Sequence, residues 1–362
     1  MTFRKTLTAL ALVTALPAYA QCDKVTFSDV GWTDITATTA AATTVLGALG
    51  YETDIKVLSV PVTYASMAKG DVDVFLGNWM PTMEGDIASY RDAKTVDTVR
   101  ANLEGAKYTL AINKAAADLG IKDFADIAAH KEALEGKIYG IEPGNDGNRL
   151  ILEMIEGDAF GLKGFEVVES SEQGMLAQVA RAEKKGEPVV FLGWEPHPMN
   201  ANFAMSYLTG GDDVFGPDFG GATVYTNTRA GYVAECENIG KLLTNLSFSL
   251  KMENEIMGAI LNDGTDPAVA AKTWLAANPA QHDRFFSVNH RFRPLEEMLM
   301  RAVIQRVSQA SVRVEGKQIG QIGHGLLVFL CVMQGDTLKT AEKMVSKIVN
   351  MRIFKDEKGR MN

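Results

Sequence analysis

The chain has 362 residues, 46% of them hydrophobic and 22% charged, and a formal charge of −9. These values suit a globular protein large enough for two or more well-buried domains, and the acidic balance argues against nucleic acid as a main partner. The charge is unevenly spread. From Met300 onward 11 Lys and Arg stand against 5 Asp and Glu, a net of +6, so the part before it carries −15. So abrupt a change of sign predicts two unrelated segments joined in one chain.

The N-terminus reads as a secretory signal over residues 1–20. Arg4 and Lys5 form a basic start, 7–16 is apolar, and Ala18-Tyr19-Ala20 supplies an A-x-A cleavage site. The apolar stretch is too short to span a bilayer. Gln21 stands before Cys22, where a lipidated Cys normally follows a small residue, so the expectation is a free, exported, periplasmic protein. An oxidising compartment permits a disulfide between Cys22 and Cys236, the two cysteines before the charge break, with two free thiols as the alternative. Cys331 lies in an apolar run and reads as a small core residue.

From residue 24 the pattern alternates short strands with amphipathic helices. Strands are predicted over 25–30, 51–59 and 72–76, with helices over 35–49 and 61–69 between them. A second unit of the same kind has helix 124–134, strand 137–141, helix 148–156, strand 165–169, helix 171–185 and strand 188–192. After Gly210-Gly211-Asp212-Asp213 the chain runs through 222–226 into two predicted helices, 236–254 and 266–277. This alternation predicts parallel-rich α/β sheets with ligand sites at strand C-termini, and a first lobe interrupted by a second.

Three of the four tryptophans stand at predicted strand exits: Gly31-Trp32-Thr33, Asn78-Trp79-Met80-Pro81 and Gly193-Trp194-Glu195-Pro196. Aromatic faces gathered around a cleft suit a ligand with diffuse positive charge, above all a quaternary ammonium. Trp274 lies in a helical pattern and reads as core. Asp34 stands where it could N-cap the helix from 35. His197 lies between Pro196 and Pro198 in a stiff turn, and no other His or Cys stands at metal-ligand spacing, so neither a metal nor a cofactor is expected.

Residues 22–278 closely resemble the periplasmic choline-binding proteins of ABC transporters, within the glycine betaine/choline group. The resemblance rests on 27–36, Val60-Pro61-Val62-Thr63-Tyr64, 73–83, 140–149, 169–180 and 191–200. It implies a bilobal, hinge-closing periplasmic-binding-protein fold without catalytic activity, and an inner-membrane permease as partner. It also implies an aromatic box for choline made of Trp32, Trp79, Trp194 and Tyr108. Asp34 would lie near the cation and the alcohol end, and Asn145 would bond the choline hydroxyl. A carboxylate in the site favours choline over glycine betaine, whose own carboxylate it repels. The corresponding domains are 21–110 with 208–281 for the first lobe and 111–207 for the second. A junction follows over 282–299, where the family's last helix is missing or replaced.

Residues 300–362 resemble the start of a bacterial D-aminoacyl-tRNA deacylase, beginning Met300-Arg301-Ala302-Val303-Ile304-Gln305-Arg306-Val307, as in a gene fusion. That family relies on a Ser-Gln-x-Thr motif and a Gly-cisPro motif, neither of which this segment contains, so no catalytic residue carries over. Tail-borne deacylase activity is the competing reading and is expected to be absent. Half a β-rich fold should leave apolar runs such as 326–332 unpaired.

Overall fold

A computed structural model describes residues 22–279, 301–332 and 338–351. The signal segment 1–20 and the junction 282–299 lie outside the described residues.

The chain opens with β1 (Lys24–Asp29), α1 (Thr33–Ala48), β2 (Glu52–Val57), α2 (Val60–Lys69), β3 (Val74–Met80) and α3 (Glu84–Asp92). A long strand β4 (Val96–Asn113) follows, then α4 (Lys114–Asp118), α5 (Phe124–Ile127), β5 (Lys137–Tyr139) and α6 (Asp146–Glu156). Next come β6 (Glu166–Val168), α7 (Glu172–Lys185), β7 (Val190–Glu195), α8 (Met199–Asn202) and β8 (Met205–Tyr207). Short turns α9 (Asp212–Phe215) and α10 (Pro217–Gly220) lead into β9 (Gly221–Arg229), and α11 (Tyr232–Glu235), α12 (Glu237–Asn245), α13 (Leu250–Leu261) and α14 (Pro267–Ala277) complete this part.

The strands form one mixed sheet in the order β2-β1-β3-β9-β4-β7-β5-β6, with β8 paired to β4. Each end is a parallel α/β unit: β1 pairs parallel with β2 and β3, and β5 with β6 and β7. The middle is antiparallel. The early part of β4 pairs with β9 and its last part with β7, so one 18-residue strand joins the two lobes. This strand was missed in the sequence because Asp97, Arg100 and Glu104 and three register shifts interrupt its alternation. The sequence-derived boundary at 110/111 falls within it.

Helix α1 is buried along most of its length between the sheet and helices α13 and α14, which its run of Ala and Thr permits. The expected helix 236–254 is two helices. Leu246 leaves the helical region with φ −58° and ψ 123°, and Ser249 accepts a bond from the Met252 N–H to start α13 afresh. The expected helix 124–134 is α-helical only to Ile127 and then tightens into a 3₁₀ turn over Ala128–His130. Trp274 is half-buried at the core's edge, its indole N–H bonded to Glu255 at 2.6 Å. Cys22 and Cys236 form a disulfide with Cα atoms 5.7 Å apart, 214 residues apart in sequence.

In the tail, β10 (Arg301–Val307) pairs antiparallel with β13 (Gly325–Cys331), and β11 (Ala310–Val314) with β12 (Lys317–Ile322); α15 spans Leu338–Val349. The apolar run at 326–331 is therefore paired along β10, contrary to expectation. Its second half nonetheless stays open, with Phe329 59% and Leu330 50% exposed. Cys331 is exposed rather than core, because a two-stranded sheet has no second layer to cover its faces.

Candidate functional site

The six residues expected to bind the ligand are carried to one cleft by five elements, α1, β3, β4, α6 and β7. Gly31 adopts φ +84°, a left-handed turn that glycine makes without strain, and delivers Trp32 to the N-cap position of α1. Asp34 lies in that helix's first turn rather than capping it. Trp79 lies one residue before the end of β3, and Trp194 one before the end of β7. Tyr108 of β4 stands directly across from Trp194 in the β4/β7 register. Asn145 N-caps α6, accepting a bond from the Asn148 N–H at 3.1 Å.

Together Trp32, Asp34, Trp79, Tyr108, Asn145 and Trp194 line one cavity, with Ile141 and Asp146. The rings of Trp79 and Tyr108 meet edge-to-face with centroids 6.0 Å apart, and those of Tyr108 and Trp194 at 6.3 Å. Polar bonds fix the orientation of each wall. The Trp32 indole donates to Glu142 at 2.7 Å, and the Trp79 indole donates to Asp34 Oδ2 at 3.2 Å. The Tyr108 hydroxyl donates to Asn145 Oδ1 at 2.8 Å. That hydroxyl occupies the space a side chain at Gly147 would take, so Gly147 permits its close approach.

The family profile described as the substrate binding domain of the ABC-type glycine betaine transport system matches residues 23–277. The chain belongs to this family. A solved structure described as an ABC-transporter choline binding protein in complex with choline is 74% identical to this substrate-binding protein. The alignment covers 74% of this chain and 92% of that one, with a TM-score of 0.73. An uncharacterised protein, ORF1 of Chromohalobacter salexigens, is 48% identical over 150 residues, 41% of this chain and 97% of its own length. A D-Tyr-tRNA(Tyr) deacylase profile matches 303–362. The D-aminoacyl-tRNA deacylase of a Jannaschia species is 60% identical over 63 residues, 17% of this chain. The chain spans 43% of that deacylase's length.

Carboxyl groups gather in and around the cavity of this substrate-binding protein, more than the sequence alone suggested. Burial, followed by the nearby Glu172, pushes the Asp34 carboxyl well above its ordinary range. Burial likewise pushes Glu142 up to about 7 and Asp146 up to about 6. Behind Asp34, burial and then the Asp34 charge raise the fully buried Glu253 well above the usual carboxylate range. Two carboxylate oxygens, Asp34 Oδ1 and Asp146 Oδ2, are buried without a hydrogen-bond partner among the described residues. Among the described residues, no Lys or Arg lines the cavity. Sequence reasoning missed Glu142, Asp146 and Glu172. His197, read as part of a stiff turn, is buried and meets the Trp194 ring at 4.8 Å.

Proposed function

We propose that this protein captures choline between its lobes and presents it to an inner-membrane ABC permease, working in the periplasm after removal of residues 1–20. The observation that carries this reading is the pair of buried, unpartnered carboxylate oxygens on Asp34 and Asp146 inside an aromatic-walled cavity. An orphaned anion in an apolar site is costly unless a cation or proton joins it. A trimethylammonium group donates no conventional hydrogen bond, and aromatic faces attract it by about 0.5–2 kcal/mol per ring while burying its methyls. Trp32, Trp79, Tyr108 and Trp194 supply those faces. Asn145, which lines the cavity, would bond the hydroxyl end. The choline-bound relative supports the choice of ligand.

The lobes are assigned as 21–110 with 208–281, and 111–207. The tail 300–362 is assigned no catalytic role, since no Ser-Gln-x-Thr sequence occurs in the chain. Titration calorimetry of the full exported chain tests the ligand. Choline should bind at least about a hundredfold more tightly than glycine betaine, because like charges brought together in an interface cost several kcal/mol. Equal affinity for the two would refute the assignment.

A further inference from the structure

Helix α1 begins with Trp32 in the N-cap position, and an indole cannot accept the free N–H groups of the first turn. The acceptor comes from the opposite lobe. Glu172, in the first turn of α7 and 1% exposed, takes the Thr33 N–H on Oε2 at 2.7 Å and the Thr33 hydroxyl on Oε1 at 2.5 Å. On its own side Glu172 is held by His197. The His197 Nδ1 accepts the Met199 N–H at 2.9 Å, which leaves Nε2 to donate to Glu172 Oε1 at 3.2 Å. One buried carboxylate therefore faces the N-termini of both α1 and α7, where helix dipoles favour negative charge. The chain of contacts Thr33–Glu172–His197–Trp194 ties the helix start that carries Trp32 to the wall made by Trp194.

Other bonds also cross between the lobes: Trp32 to Glu142, Tyr108 to Asn145 at 2.8 Å, and Arg149 to the Thr82 carbonyl at 2.8 Å and to Asp86 at 3.1 Å. Glu142, Arg149 and Asp86 are only partly buried, so water replaces their bonds at smaller cost when the lobes part, and the buried Tyr108–Asn145 bond touches no part of α1. Glu172 and Thr33 are buried, and separating them uncaps α1.

We infer that Glu172 is the positioning residue that makes lobe closure and assembly of the cavity one step, by capping α1 across the cleft. This rests on the choline reading only for its ligand arm.

The test uses the full chain and the variants Glu172→Ala, Glu172→Gln and Thr33→Val. Small-angle scattering of the ligand-free proteins reads closure directly, and Glu172→Ala should show a larger radius of gyration than the parent. Choline should dissociate from Glu172→Ala at least about tenfold faster, the loss expected for a hydrogen bond to a charged group, with association little changed. Glu172→Gln keeps an acceptor for the Thr33 N–H and should fall between parent and Glu172→Ala. Thr33→Val should shift both readouts in the same direction. Combined with Glu172→Ala it should add nothing further, because the two groups act as one contact. Unchanged scattering and dissociation in Glu172→Gln and Thr33→Val would overturn the inference. Should Glu172→Ala fail to fold, Thr33→Val decides alone. A parent that binds no choline refutes the ligand assignment, while the scattering arm still decides the role of Glu172.

Discussion

Each tryptophan of the cavity contributes a ring face and an N–H, and the two can be separated. In Trp79 the N–H holds Asp34 Oδ2 while the ring stands against Tyr108. Trp79→Ala removes both and leaves the Asp34 carboxylate with two unpartnered oxygens. Choline affinity should fall by about 2–4 kcal/mol, the sum of a cation–π contact and a buried aromatic surface. Calorimetry on the variant checks this, and a loss below tenfold would argue against a wall role. The acidic groups predict a pH dependence. Burial holds Glu142 at about 7 and Asp146 at about 6, so the ligand-free protein still carries protons on them near neutrality. A bound cation favours the ionised forms and lowers both values. Binding should therefore expel protons between about pH 6 and 7, and affinity should rise with pH across that window. Stability of the ligand-free protein runs the other way. On Glu142 and Asp146 the folded state holds more protons than the unfolded chain from about pH 4 to 7, so the contribution of these two groups to stability declines as pH rises through that range. Calorimetry in two buffers of different ionisation heat reads the proton release, and a flat affinity from pH 6 to 8 would contradict it.

Among the elements, β4 organises the molecule. Its pairing with β9 on one stretch and β7 on another makes it the strand shared by both lobes, and it places Tyr108 opposite Trp194. The disulfide works at the periphery of the first lobe, joining the start of the described chain to the segment between α11 and α12. Because it closes a loop of 214 residues, it removes much of the unfolded chain's freedom. Replacing Cys22 and Cys236 with Ser should lower unfolding stability by about 2–5 kcal/mol in denaturant titration. Choline affinity should stay unchanged, since neither cysteine lines the cavity. A large loss of affinity would mean that the bridge also sets the cleft.

For the whole molecule, the acidic substrate-binding part and the basic tail are separate physical problems. The tail strands are paired, yet Val303, Ile319, Phe329 and Leu330 lie 59–67% or, for Leu330, 50% exposed. Open apolar faces on short two-stranded sheets promote association. Removing residues 300–362 should leave choline affinity unchanged and increase the soluble monomer fraction in size-exclusion chromatography. A truncated chain that no longer binds choline would give the tail a structural part in the cleft. The full chain should show no hydrolysis of a D-aminoacyl-tRNA.

Much of this protein was legible in its sequence. Short strands and amphipathic helices repeat with local periodicity, so the two parallel units could be read from residue spacing. The strand-exit positions of Trp32, Trp79 and Trp194 marked a cleft, and the family resemblance added Tyr108, Asn145 and Asp34. The charge break announced the tail. Strand β4 was not legible, because charged residues and register shifts hide an alternation that only pairing with β9 and β7 sustains. Nor was the helix break at Leu246 or the exposure of Cys331. Glu142, Asp146 and Glu172 look in sequence like ordinary surface acids. Their roles depend on burial and on partners up to 139 residues away, such as Thr33 for Glu172. Periodicity and motifs are local, and the sequence determined what they encode. The acidity of the cavity and the capping of α1 by Glu172 come from groups meeting across the cleft, and only the tertiary structure decided those.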